Sequence, residues 1–307
     1  MKVLLAGGSG ILGTLATEAL TADGHTVTRL GRGAANDVRA DLLDRDAVLR
    51  AVDGYSFDAV VHAATALAGK SFTRHRDMHG TNVLRTTGTT HLLDAARATG
   101  ARRFVAESMM FGYGYGDHGV EPLTESGTPF GPQGTDAALE QHVGAMRTLE
   151  ELTLGSDGIE GICLRFGMFY GAGVTDAHMV PLLRKRGLPV VEGHGRALSF
   201  VEVGDAARAV VAAVRTDRAG RAYNIADDTP VSFAAHTRAT AEAFGAPRPM
   251  TVPRWVLRAA PLARTIMGSQ LRLDNTRAGA ELGWKPTRAS SIEGIKALAE
   301  SGGSPAA

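Results

Sequence analysis

A chain of 307 residues, 44% hydrophobic and 21% charged, is long enough for one large globular unit or two closely joined ones. Its formal charge of +1 lacks the clustered Lys and Arg that a nucleic-acid or anionic-membrane partner demands, and no apolar run approaches the length a bilayer needs. The single cysteine, Cys163 in "GICLRF", excludes an internal disulfide, and with Met1-Lys2 running straight into "VLLAGG" the expected location is the cytoplasm.

In chain order, "KVLLA" reads as a strand, "ILGTLATEALTADG" as a helix, "HTVTRL" and "DAVVHAA" as strands, residues 81–99 as a long helix and "RRFVAES" as a further strand. Short β runs alternating with longer helical patterns imply parallel strands joined by crossover helices, so the predicted fold class is α/β, a doubly wound parallel Rossmann sheet over residues 1–170. Its ligand edge lies at the carboxyl ends of the strands. From Gly171 on the signals thin, with "GLPVVEGHGRAL" punctuated by Gly and Pro, and only "VGDAARAVVAAVR" and "VSFAAHTRATAEAFG" are clearly helical. This predicts a smaller substrate-binding domain over 171–300, with some interleaving of segments, and a disordered tail over 301–307.

"AGGSGILG" follows the first strand and opens the first helix, spacing Gly7, Gly10 and Gly13 as GxxGxxG. Glycine allows the tight turn, the close approach of backbone to a pyrophosphate and the packing of helix on sheet, while the helix-terminal amides at Ile11, Leu12 and Gly13 hold negative charge. The second strand ends in Gly31 and Arg32, with no acidic residue for a ribose 2′-hydroxyl. A glycine beside a guanidinium suits a 2′-phosphate, so NADP(H) is the expected cofactor; the alternative is that Arg32 is a surface charge and the preference is set elsewhere. Asp41 and Leu42, after the next short run, are placed to flank the adenine.

The segments "GGSGILG", "VVHAAT", "TNVLRTTGTTHLLDAARATGARRFV", "LRFGMFYGAG", "SFVEVGDAARAVVAAV", "AYNIADD" and "LDNTRAGAELGW" come in an order that resembles the extended short-chain dehydrogenase/reductases, the superfamily of sugar-nucleotide epimerases and dehydratases. The resemblance implies that Ala63 and Ala64 line the cofactor cleft and that Met168 and Phe169 adjoin the nicotinamide. It also implies a catalytic Ser or Thr after the fourth strand and a Tyr-x-x-x-Lys on the next helix. Aligned on that pattern, "FVAESMMFGYG" puts Met109 at the hydroxyl position with Ser108 one residue early, and "HVGAMRTLEELTL" puts Val143 at the tyrosine and Arg147 at the lysine. Methionine and valine carry no proton, and arginine stays charged, so Arg147 supplies charge without acid-base turnover. A register shifted by one puts His142 at the tyrosine position as an acid-base group; otherwise it is a partly exposed helix residue.

Ser108 either binds a substrate oxygen or satisfies nearby backbone groups, while Tyr113 and His62 read as structural. Met109, Met110, Phe111 and Met146, with Met168 and Phe169, fall where a flat lipophilic ligand is expected to lie, unless they face the core. The family's arginine in the stretch before "SFVEV" is replaced by Leu198, with Arg196 nearby as a substitute for gripping a diphosphate. Metal ligands are not expected, since neither "HRDMH" nor "DAHM" brings a third partner.

Three functions are compatible with these residues. The leading one is an NADPH-dependent ketoreductase acting on a hydrophobic polycyclic aromatic ketone, an antibiotic-tailoring step in which the substrate's own phenol assists the developing alkoxide. The others are a sugar-nucleotide epimerase or dehydratase, and a non-catalytic module that senses NADP(H).

Overall fold

A computed structural model describes residues 1–67, 73–126, 130–131, 134, 136–191 and 196–302. Of the stretch read as a disordered tail, residues 303–307 lie outside these.

The strand β1 (Lys2–Ala6) is buried from Val3 onward, and the loop Gly7–Gly10 leads into α1 (Ile11–Ala22). Then come β2 (Thr26–Gly31), β3 (Val38–Arg39), α2 (Arg45–Ala51) and β4 (Ala59–His62). A long helix follows, entered as α3 (His79–Val83), widened by one π turn over Leu84–Gly88 and continued as α4 (Thr89–Thr99). It ends at Gly100, whose φ of 78° is the left-handed conformation that glycine adopts without strain. Next are β5 (Arg103–Met109), α5 (Ala137–Leu154) and β6 (Glu160–Phe166). Asp136 caps α5 by accepting the amides of Ala138 and Leu139, each at 3.1 Å.

The remaining chain adds β7 (Met168–Tyr170), α6 (Val180–Arg184), β8 (Val190–Val191), β9 (Ala197–Leu198), β10 (Phe200–Glu202), α7 (Val203–Arg215), β11 (Arg221–Ile225), β12 (Val231–Ser232) and α8 (Phe233–Ala243). The main sheet has seven strands in the order β11-β6-β5-β4-β1-β2-β3, all pairs parallel. Such a sheet is buried on both faces, which is why its central strands are nearly continuous apolar runs rather than alternating ones. The chain does not divide cleanly at 170. The strand β11 forms one edge of the main sheet, and α7 packs on α1 across the face that carries Val3, Leu5 and Val61.

Leu4, Val60, Phe104 and Ala106 fill the opposite face beneath α4. A third core cluster lies beyond the strand ends, where Met110, Phe111, Val143 and Met146 meet Tyr170, Leu198, Phe200 and Leu271. It joins the C-terminal segments to the ligand edge. No helix among the described residues is long and apolar enough to cross a membrane.

Candidate active site

The phosphate cradle is assembled from β1, α1 and β4. A Cβ on Gly7, whose φ is 91°, would lie 2.4 Å from the Ala63 carbonyl oxygen, and one on Gly13 would lie 2.1 Å from the Gly7 carbonyl oxygen. Both contacts are far inside van der Waals distance, so only bare backbone fits where the loop meets the strand ends. Gly10 caps α1 without a side chain, and the first turn holds no acidic residue. The amides of Ile11, Leu12 and Gly13 are thereby left for an external anion, as the pyrophosphate of a dinucleotide requires. Ala63 and Ala64 stand directly beside Gly7.

At the end of β2, Gly31 pairs in register with Arg39 of β3, and Asn36 packs where a Gly31 side chain would stand. Arg32 and Arg39 are exposed and form no hydrogen bond or ion pair among the described residues. The nearby acid, Asp37, is held by Arg29 through two side-chain contacts of 3.1 Å and one backbone contact of 2.8 Å. Asp41 is exposed and accepts the Leu43 amide, while Leu42 is buried below it.

Beyond the cradle, a polar network ties β5, α5, β6 and β11 together. Ser108, with no exposed surface, donates to Glu150 Oε1 at 2.7 Å, and Glu150 takes Arg165 through its Nε at 3.0 Å and Nη2 at 2.6 Å. Arg165 donates in turn to the Tyr113 hydroxyl at 2.7 Å, and Tyr113 donates to Asn224 Oδ1 at 2.8 Å. The Ser108 hydroxyl proton is therefore committed inside the protein. Burial pushes Tyr113 up to about 12. Its ring and that of Phe130 both lie against the Arg165 guanidinium, at 4.9 and 4.0 Å.

The inward face of α5 carries His142, Val143, Met146 and Glu150. Residues four apart share a helix face, so the contact of Glu150 with Ser108 places Met146 and His142 in the same line running toward the ligand edge. Arg147 lies off that line. Its guanidinium donates to Glu140 at 2.5 Å and to the Gly131 carbonyl at 3.1 Å, and it shares no hydrogen bond with Ser108 or His142. Of the two alignments that the sequence allows, the structure favours the one with His142 at the tyrosine position and Met146 at the lysine position. In either alignment Met109 replaces the hydroxyl and no Tyr–Lys pair exists.

His142 is 1% exposed, not a partly exposed helix residue. Its Nδ1 meets Asn82 Nδ2 at 2.9 Å and its Nε2 meets His75 Nδ1 at 3.0 Å. With the Asn82 amide donating, the imidazole proton lies on Nε2 toward His75. Burial, reinforced by His75 and Arg85, lowers His142 to about 4, so the ring is neutral at working pH. His62 is likewise lowered to about 4 by burial, and its Nε2 lies 3.2 Å from the Leu84 carbonyl.

The apolar residues expected around a substrate divide into two groups. Met110 and Met146, at 0% and 1% exposure, are core side chains, and Phe111 is buried in a stack on Tyr115 at 4.8 Å. Met109, Met168 and Phe169 are half-buried and keep surface for a ligand. Arg196, the substitute diphosphate grip, is taken by Asp117 at 3.2 Å and the Gly268 carbonyl at 2.7 Å. Among the described residues no group of three or more His, Cys, Asp or Glu side chains is arranged to hold a metal ion.

Two further residues at the strand ends are not distinguished by sequence reasoning. Glu107 of β5 pairs in register with Leu164 of β6, one residue past the pairing of Ala106 with His62 of β4; it is half-buried and without a hydrogen bond among the described residues, and burial raises its carboxyl to about 7 against the opposing pull of Arg85. Arg85 lies in the π turn and is 4% exposed. The available signal for Glu107 was an acid inside the strand "RFVAESM", where a buried parallel strand should be apolar. Arg85 carried no such signal, because a charge in a helical pattern normally faces solvent.

Comparison with known proteins agrees with this geometry. The profile of the "NAD dependent epimerase/dehydratase family" matches residues 3–226. The chain is 37% identical over 312 residues to a 3-diazoavenalumate denitrifying reductase from Streptomyces, covering 96% of this chain and 99% of that one. It is 30% identical over 272 residues to the 2-alkyl-3-oxoalkanoate reductase of Stenotrophomonas maltophilia, covering 81% and 77%. The crystal structure of the Thermus thermophilus UDP-glucose 4-epimerase complexed with NAD superposes with a TM-score of 0.77 at 25% identity, over 98% of both chains. The chain belongs to the NAD dependent epimerase/dehydratase family and is an oxidoreductase of the extended short-chain dehydrogenase/reductase type.

Proposed function

We propose that the protein is an NADPH-dependent reductase of a flat, hydrophobic aromatic compound, and that its electrophile accepts hydride without an acid from the usual tyrosine. The observation that carries this reading is the replacement of the hydroxyl, tyrosine and lysine positions by Met109, His142 and Met146, the last two buried at 1% exposure. A reduced nicotinamide dinucleotide, whose pyrophosphate the Gly7–Gly13 cradle would hold, would supply the hydride when bound. Preference for the 2′-phosphorylated form is supported by Arg32 and Arg39, unpaired among the described residues, on either side of Gly31. The half-buried surfaces of Met109, Met168 and Phe169 offer an apolar wall that orients a planar ring and excludes water.

The substrate class favoured is an aromatic diazo compound, the class named in the relative at 37% identity. An aryl diazonium already carries positive charge at nitrogen, so it takes a hydride directly. One hydride enters, N2 leaves, and the ring keeps a hydrogen where the nitrogen was, with no net proton required. The absence of the usual tyrosine is then no handicap.

A ketone substrate is the second reading, favoured by the oxoalkanoate reductase relative and by a Glu107 carboxyl near 7, which can give a proton to an alkoxide. A polycyclic aromatic ketone with a neighbouring phenol is the form that asks least of the protein. The sugar-nucleotide reading is weaker, since Leu198 is fully buried and Arg196 is already paired.

The test is incubation with NADPH and, separately, a hydroxybenzoate diazonium and a panel of hydroxyaryl ketones. The expected result is NADPH oxidation matched one to one by N2 and the dediazotised arene. Reduction of ketones alone would select the second reading, and tight NADPH binding without oxidation by either class would refute both.

A further inference from the structure

Three arginines among the described residues are buried, and two of them are fully engaged. Arg103 donates to Glu160 and to the carbonyls of Thr216 and Arg218, and Arg165 to Glu150 and Tyr113. Arg85 is as buried as either, yet forms no hydrogen bond and no ion pair with any described residue. Desolvating a guanidinium without partners is among the costlier things a fold can do. Such a residue persists where something outside the chain completes it.

Its position says where that partner comes from. Arg85 lies in the π turn Leu84–Gly88, an irregularity that recurs at functional sites, immediately after the Leu84 carbonyl that meets His62 at the end of β4. The titratable groups that feel its charge are His62, Glu107, Tyr115 and His142, from β4, β5, the following loop and α5. All converge on the carboxyl ends of the central strands, where a doubly wound sheet binds its ligand. Glu107 stays outside ion-pair reach and holds its proton up toward neutrality, so it does not neutralise the guanidinium.

We propose that Arg85 is the anchor for a carboxylate on the substrate, gripping it through its planar fork and so fixing the aromatic ring against the hydride donor. This rests on the reductase reading above, and it agrees with the two reductase relatives, both named for carboxylates. A guanidinium matches a carboxylate with two parallel N–H···O bonds, which sets orientation as well as affinity.

The experiment is calorimetric titration of the NADP+-loaded protein with 4-hydroxycinnamate and with its methyl ester. Wild type should bind the acid at least about tenfold more tightly than the ester. Arg85→Met should erase that preference while leaving the ester and NADP+ affinities unchanged, and Arg85→Lys should restore part of it. Because no internal partner is lost, Arg85→Met should melt no lower than wild type. Equal binding of acid and ester, no binding of the acid, a fall in melting temperature, or an Arg85→Met variant that loses NADP+ while keeping the acid preference each overturns the proposal. Binding is read without turnover, so an intact acid preference in a protein that transfers no hydride would sink the reductase reading and spare the anchor.

Discussion

Glu107→Gln isolates the energetic consequence of placing a carboxyl at the ligand edge. In the unfolded chain a glutamate loses its proton near 4.5, whereas in the fold burial holds Glu107 up to about 7. Between those values the native state binds more protons than the unfolded one, so stability falls as pH rises. Below the range both states are protonated and there is no effect. Above it the loss is complete, at about 3 kcal/mol, since each pH unit between the two values contributes about 1.4 kcal/mol. Glutamine keeps the shape and does not titrate, so the variant escapes this loss. Urea unfolding of the cofactor-free protein should find Glu107→Gln more stable than wild type by about 1 kcal/mol at about pH 5, widening to about 3 kcal/mol at about pH 8. An advantage that is constant across that range, or that narrows, would refute the assignment of a raised carboxyl to this position.

Gly13→Ala should reduce NADPH affinity about a hundredfold, because a Cβ 2.1 Å from the Gly7 carbonyl forces α1 and the loop apart by about an ångström; fluorescence titration reads it, and near-normal binding would mean that the cradle is misplaced. Arg32→Ala should weaken NADPH by about tenfold or more and leave NADH unchanged, so equal effects on both would remove the 2′-phosphate assignment. Ser108→Ala should cost about 1 kcal/mol of stability by depriving buried Glu150 of one donor, with the Kd for NADPH unaffected. On α5, Met146→Lys should destabilise by about 3 kcal/mol or more in thermal unfolding, and Arg147→Met by about 1 kcal/mol or less, since the first buries a charge and the second removes a half-exposed pair with Glu140; the reverse order would overturn the register of the helix.

The architecture was legible because a parallel sheet writes itself into local sequence. Strands such as "KVLLA" and "DAVVH" are short apolar runs, the helices between them are periodic, and Gly7 and Gly13 of the cradle occupy positions that no other residue fits. The boundary at 170 was not legible. The strand β11 reads like any short apolar run, and nothing local says that it returns to pair with β6. The substrate wall was only half legible for a related reason. Sequence gives residue type, but Met109 and Met110 differ in which side of the chain they face, and only the fold sends one to the crevice and the other to the core.

The register of α5 shows where pattern matching and physics part. Gly144 invites an alignment that makes Arg147 the lysine, whereas the buried carboxylate is the better ruler. Only one of the adjacent acids, Glu150 and Glu151, can face the strands, and Ser108 and Arg165 select Glu150. Counting back by helical turns from it gives Met146 and His142, a thioether and a neutral imidazole, where proton chemistry is ordinarily done. Ser108 is spent on holding that carboxylate, and Tyr113 on holding Arg165. The Ser108 and Tyr113 hydroxyls serve the scaffold, which supports the proposed reading of a bound hydride donor acting on an electrophile that is held still and has little need of an acid.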